Sequence, residues 1–358
     1  MQNFVKNFGF ALGVSVVALI VAVVDGYLRN GNSLPAAGSA LVIAILLGIL
    51  ELSLSFDNAV VNAAVLKNMD PKWQRRFLTW GILIAVFGMR FVFPIVIVSI
   101  TAGLGFFEVL GEAFGNPEIY SKHLEEARVP INAFGSSFLL LVFLKYLLDP
   151  EKEEHWFHWL ESRLAVIGKL DTIQVVLTGV ILLLGVHFLV AQPLQYTALI
   201  AGVVGILVFL IVDALGNLFN VDDMAARAGA AGLASFLYLE VLDASFSLDG
   251  VIGAFALTKD IVIIAAGLTI GAIFVRSITV SLVRSGTLDT YRFLEHGAHY
   301  GIGALAVIML LSMSDNVHIP EVVTGLIGAG FIALAVWTSI LANKKEAIDK
   351  PPARITGS

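Results

Sequence analysis

Ten apolar stretches of roughly membrane-spanning length follow one another along the chain, and this pattern limits its fold more than any other feature. A bilayer core asks for about 20 consecutive apolar residues per helix. That criterion marks spans at 8–26, 39–66, 77–101, 130–148, 171–190, 195–215, 230–257, 261–283, 298–314 and 322–342. Lipid offers no partner for backbone N–H and C=O groups, so such segments must satisfy their hydrogen bonds internally, as helices. The expected fold class is therefore all-α, a polytopic transmembrane bundle of about ten helices. A mean hydropathy of +0.89 with only 14% charged residues excludes an ordinary soluble domain. The second and seventh spans are long enough to tilt, kink or break.

Those same two spans carry near-copies of one acidic motif. The first is Glu51-Leu52-Ser53-Leu54-Ser55-Phe56-Asp57-Asn58 and the second is Asp243-Ala244-Ser245-Phe246-Ser247-Leu248-Asp249-Gly250. A charged Asp near a membrane helix centre costs roughly 2.5–3.5 kcal/mol, so the two pairs of acids together oppose insertion by on the order of 10 kcal/mol unless partnered. Carboxylates retained at that cost point to a cation pathway. On an ideal helix Glu51, Ser55, Asn58 and Asn62 form one polar stripe, with Asp57 off it. Asp243, Ser247 and Gly250 repeat the spacing, Glu240 precedes Asp243 by one turn, and Asp249 falls to the side. Either the offset Asp faces a different neighbouring helix, or the helix unwinds near Asp57-Asn58 and Asp249-Gly250. Gly250 tips the balance toward unwinding, which would let acids and freed carbonyls converge on one ion.

The similarity extends beyond the motif. Asp25 near the end of the first span has a counterpart in Asp213 near the end of the sixth, and Arg90 in the third matches Arg276 in the eighth. The chain thus reads as a single transmembrane domain, 1–345, made of repeat one (1–190) and repeat two (191–345), with a cytoplasmic tail at 346–358. Five helices per unit is an odd number, so the two units are expected to be inverted repeats with a site at the midplane between them. Basic residues agree with this. Placing both termini in the cytoplasm puts Lys67, Lys72, Arg75, Arg76, Lys145, Lys152, Arg284 and Arg292, among others, inside, and leaves Arg29, Lys122, Arg128 and Lys259 outside. Lys6 followed by the apolar run 8–24 has the outline of a signal peptide. The run is long enough to span and has a counterpart in the second unit, so it is read as a retained helix.

Carboxylates, hydroxyls and amides are hard oxygen donors, and the chain has no cysteine, which favours Mg²⁺, Ca²⁺ or Mn²⁺ over soft metals. The candidate ligands are Glu51, Asp57, Asn58, Asp243 and Asp249, with Ser55, Glu240 and Ser247 as secondary donors. Arg90 and Arg276 are either counter-charges for the acids or structural ion pairs between the repeats. His187, His299 and His318 lie near span ends and are assigned no ligand role. Asp315-Asn316 is a weaker echo of Asp57-Asn58, 102–129 reads as a solvated acidic outer loop, and 151–161 as an amphipathic helix on the membrane surface. No Walker sequence, HExxH or Gly-x-Ser-x-Gly occurs, so neither an enzyme nor a nucleotide-driven pump is expected. An intramembrane aspartyl hydrolase would need Tyr-Asp and Gly-x-Gly-Asp signatures that are missing here. The expected partners are the bilayer and a metal ion as transported substrate, with no cofactor, nucleotide or nucleic acid, and a homo-oligomer is compatible. Two alternatives stay open: a membrane scaffold whose acids only form ion pairs, and an exporter of a small organic solute.

On Glu51 through Asn58, the second motif from Asp243 to Asp249, and Arg276 in the helix after it, the chain resembles the TerC family of integral membrane proteins, within the lysine-exporter-like superfamily. The resemblance is clearest over 40–100 and 235–340. It implies a bacterial inner-membrane protein exporting Mn²⁺, and an association with tellurium resistance. Gly250 departs from the polar Ser or Asn common at that position, and ten spans exceed the family's core.

Overall fold

The structure is a computed structural model that describes residues 2–29, 31–150, 152, 154–168, 170, 172–217, 224–317 and 319–349. Within that range the side chains of 2–7, 78, 160, 216–217, 224–230, 246–249, 252, 256, 321–322 and 346–349 are not described. Ser247 and Asp249 belong to this last group, and His318 lies outside the described residues altogether.

Among the described residues every regular element is helical. Helices α1 (Gln2–Arg29) and α2 (Leu34–Leu54) are followed by α3 (Phe56–Leu66) and α4 (Pro71–Arg76). The chain continues through two π-helical stretches, Phe77–Gly81 and Ile84–Val92, into α5 (Phe93–Ala102). Two short helices, α6 (Phe106–Gly115) and α7 (Pro117–Glu126), precede α8 (Arg128–Leu147), α9 (His158–Ile167), α10 (Ile173–Leu189) and α11 (Gln192–Asn217). Last come α12 (Met224–Leu257), α13 (Ile261–Ser285), α14 (Thr287–Thr290), α15 (Leu294–Leu311) and α16 (Glu321–Asp349). By length and composition, eight helices among the described residues could cross a membrane. Helix α10, expected as a full span, is a shorter apolar helix of 17 residues. Helix α16 runs past 345, so the expected tail boundary falls inside a helix.

Local chemistry sets the ends. Ser33 caps α2 by accepting from the Ala36 amide, and Pro35 stands where its missing N–H costs nothing. Asp260 caps α13 through the Val262 and Ile263 amides, and Gly286, in the left-handed region at φ +64, ends it.

Helices α8 and α13 form the centre of the bundle, with 78% and 67% of their spanning windows buried, against 22% for α1, α11 and α16. The outer helices therefore present apolar faces such as Val17, Ile20, Leu207 and Trp337 outward, as lipid-facing helices do. The largest core gathers Phe138, Leu139 and Leu141 of α8 with Ala298, Ile302 and Met309 of α15 and Val60 and Val61 of α3. Helix α2 packs on α13 and α12 on the second π-helical stretch, so each motif helix lies against the arginine-bearing segment of the other half. The α2–α13 approach is close because Gly48 and Gly267 carry no side chain: a Cβ on Gly48 would lie 2.9 Å from Ile270 Cγ2. The first helix of each half breaks the correspondence. Both lie on their own motif helix, but α1 also packs on α13, whereas α11 packs on α8.

Three expectations need correction here. The expected acidic loop at 102–129 contains α6 and α7, whose Val109, Ala113, Tyr120 and Leu124 are buried with Val251 and Phe255 of α12. The expected surface helix at 151–161 is instead a docked strap. Glu161 is fully buried and its carboxylate takes Lys152 Nζ at 2.7 Å, the Tyr300 hydroxyl at 3.0 Å and the Phe157 amide at 3.1 Å. Burying Glu161 becomes tolerable because a cation and two donors replace its water, and the Trp156 indole then reaches Thr338 Oγ1 at 3.1 Å. Finally, His299 is not interfacial: it is buried, stacked on Tyr146 at 3.7 Å.

Candidate functional site

The 34–66 rod breaks at Ser55, about two thirds of the way along, where φ −103 and ψ 17 depart from helix geometry. The break is soft. The Ser55 amide still donates to the Glu51 carbonyl at 3.0 Å, while its hydroxyl donates to Glu51 Oε1 at 3.1 Å. Two residues earlier the Ser53 hydroxyl donates to the Ile49 carbonyl at 2.7 Å, the back-bonding that bends helices, so the break needs no proline. The second motif behaves differently: α12 runs unbroken through Asp249 and Gly250. Gly250 serves a close approach rather than unwinding, since a Cβ there would stand 2.7 Å from Glu51 Oε2. Gly271 of α13 makes room on the other side, where a Cβ would collide with the Glu51 side chain.

Glu51, Ser55 and Asn58 line a cavity of about 20 Å³ together with Arg90, Asp243 and Arg276. That volume suits a single water or a bare ion. Arg90 Nη2 pairs with Glu51, and its Nη1 donates to the Ala85 carbonyl at 2.7 Å. Arg276 Nη2 pairs with Asp243 and lies 3.4 Å from Glu240 Oε1 and 3.3 Å from the Gly81 carbonyl, its guanidinium 3.8 Å above the Phe77 ring. Both acid–arginine pairs therefore form within one half of the chain. Of the two readings offered for Arg90 and Arg276, the ion pair between the repeats does not form; the links across the halves at the site are the Asn62 Nδ2 bond to Asp243 Oδ1 at 2.9 Å and the contacts of Arg276 with the Gly81 carbonyl and the Phe77 ring. Three carboxyl groups near the cavity, those of Glu51, Glu240 and Asp243, share two guanidiniums.

Several buried polar atoms around this point have no hydrogen-bond partner. Three are acceptors, Asn58 Oδ1, Asn62 Oδ1 and Glu240 Oε2, and two are donors, Arg90 Nε and Arg276 Nη1. Unpaired buried acceptors each cost about 1–3 kcal/mol, and retention of three in one neighbourhood suits a site that meets its partner only when loaded.

Asp57 stands apart, as its place off the stripe suggests. It is buried, accepts from the Asn58 amide at 3.0 Å, and faces α15 and α16, where Gly301 and Gly328 leave room for its carboxylate. No basic side chain among the described residues pairs with it. Of the candidate ligands, then, Glu51, Ser55, Asn58 and Asp243 meet at the cavity, Glu240 joins through Arg276, and Asp57 does not. Asp249 and Ser247 lie outside the described side chains. No group of three His, Asp or Glu among the described residues forms a ready metal cage. Asp315 pairs with Arg128 at the bundle surface, which explains its charge without an exit path.

Gly81, Gly271, Phe77 and the Ala85 carbonyl are absent from the sequence reading of the site. Only spacing hinted at two of them, with Gly271 five residues before Arg276 and Ala85 five before Arg90.

A family model described as a protein of unknown function (DUF475) matches residues 56–346, which takes in every residue of the site except Glu51 and Ser55. Neither a curated protein nor a solved structure matches the chain.

Proposed function

We propose, from the premise that this chain belongs to the DUF475 family and is a multi-pass helical membrane protein, that it is a secondary transporter of a hard divalent cation. The supporting observation is the set of unpaired acceptor oxygens on Asn58, Asn62 and Glu240 beside an ion-sized cavity walled by Glu51 and Asp243. Oxygen donors of this kind fit Mg²⁺, Ca²⁺ or Mn²⁺. Mn²⁺ and outward movement across a bacterial inner membrane rest on the TerC resemblance. Because each acid at the cavity is paired with arginine, the cation displaces at least one guanidinium to bind. Arg90 has a second anchor ready in the Ala85 carbonyl, and Arg276 has one in Gly81 and the Phe77 ring.

The same pairing favours a second reading, a scaffold in which the acids only secure the arginines. Flux in liposomes loaded with a metal-sensitive dye separates the two. The transport reading expects saturable Mn²⁺ flux in the wild type and folded, transport-dead Glu51→Gln and Asp243→Asn variants. No flux of Mn²⁺, Mg²⁺, Ca²⁺ or Zn²⁺ under pH gradients of either sign would hand the argument to the scaffold or to an organic solute.

A further inference from the structure

A cavity of about 440 Å³ lies at the end of the bundle that carries Lys67, Lys145 and Lys152, between the ends of α8, α11 and α12 and beside α3 and α15. Its outer rim includes the exposed Lys145 and Asp149, and its deep wall the buried Val142, Val212 and His299. Two other hollows of similar volume, about 480 and 500 Å³, have aliphatic and aromatic walls almost throughout, as grooves facing lipid tails should. This one differs. It offers the carboxylates of Asp149 and Asp213, the hydroxyls of Ser235 and Tyr238, and one ammonium, that of Lys145, which Asp213 already pairs. Carboxylates and hydroxyls are hard oxygen donors of the kind a divalent cation accepts.

The cavity also points at the site. Val65 in its wall is seven residues beyond Asn58 and three beyond Asn62, so it continues the polar stripe of α3, less than one turn (~4.5 Å) from Asn62. Tyr238 lies five residues before Asp243, ~7.5 Å along α12. Between these two wall residues and the ion-sized cavity stands the Asn62–Asp243 hydrogen bond. We propose that this cavity is the aqueous vestibule through which a divalent cation passes between the basic end of the bundle and the Glu51–Asp243 site, with the Asn62–Asp243 bond as its floor. The proposal rests on the transport reading above.

The absence of cysteine makes the test clean. Ser235→Cys and Val65→Cys, both small changes in the cavity wall, are reconstituted and treated with a membrane-impermeant cationic thiosulfonate from each side, with Ser285→Cys, exposed at the end of α13 on the side of Lys67, as control. Modification of either wall cysteine from the basic-end side alone, slowed by Mn²⁺ and followed by a loss of Mn²⁺ flux of about tenfold or more, is expected; the labelled control keeps its flux. Full labelling of Ser235→Cys and Val65→Cys with flux unchanged, or no labelling from that side, overturns the vestibule and leaves the transport reading intact. Absence of flux in the unlabelled wild type overturns both.

Discussion

Asn62 of α3 donates to Asp243 of α12 at 2.9 Å, tying together two residues 181 positions apart in the chain. The bond ends with Asp243 shared between an amide from one half and the Arg276 guanidinium from the other, while Asn62 Oδ1 stays unpaired. Replacing Asn62 by Ala removes a donor from a largely buried carboxylate and should cost about 1–3 kcal/mol. A fall in the detergent-solubilised melting midpoint, with loss of Mn²⁺ flux, is expected; an unchanged midpoint would mean water replaces the amide.

Gly250→Ala separates two roles for that glycine. Alanine favours a helix interior by about 1 kcal/mol, so α12 itself is not weakened. The added methyl would meet Glu51 Oε2, displace the carboxylate, and lower Mn²⁺ flux by about tenfold or more. Normal flux in a folded G250A protein would show that the close approach does not matter.

Arg276→Gln leaves the buried Glu240 and the largely buried Asp243 without their cation. Breaking a buried pair on one side costs about 3–5 kcal/mol, so the variant should melt well below the wild type. A divalent ion bound by the freed acids should recover part of this, about 2.7 kcal/mol at a hundredfold excess over its Kd. Melting with and without Mn²⁺ reads the effect, and equal metal responses in variant and wild type would argue against ion binding at these acids.

The strap at 152–161 should respond to acid. Burial pushes the Glu161 carboxyl up, but Lys152, the Phe157 amide and the Tyr300 hydroxyl outweigh it and hold it below the usual carboxylate range. A carboxylate depressed on folding adds stability above its unfolded pKa, and that stability is lost as pH falls through the folded value. Docking should therefore be intact at neutral pH and loosen below about pH 4, near and beneath the unfolded pKa. Limited proteolysis across 148–158 as pH is lowered measures this. Glu161→Gln should be cleaved readily at neutral pH, and resistance there would sink the idea.

The order of helices and the split between polar stripe and offset Asp57 were legible in the sequence, because lipid forces backbone closure and because helical periodicity places Glu51, Ser55 and Asn58 on one face whatever surrounds them. Resistance of the second motif to breaking was not legible. Gly250 has the same local freedom either way, and only the arrival of Glu51 from a helix 199 residues earlier gives its missing Cβ a use. Arginine partners were likewise undecided locally. Arg90 meets Glu51, Arg276 meets Asp243 and Glu240, and which acid each guanidinium reaches depends on the packing of α2 on α13 and of α12 on the π-helical segment. Local pattern was enough to show a helical, membrane-spanning chain with acids at the centre of its spans. Tertiary structure alone decided which acids share a cavity, which stands apart, and which oxygens are left without a partner, since these depend on distances between helices that no local pattern encodes.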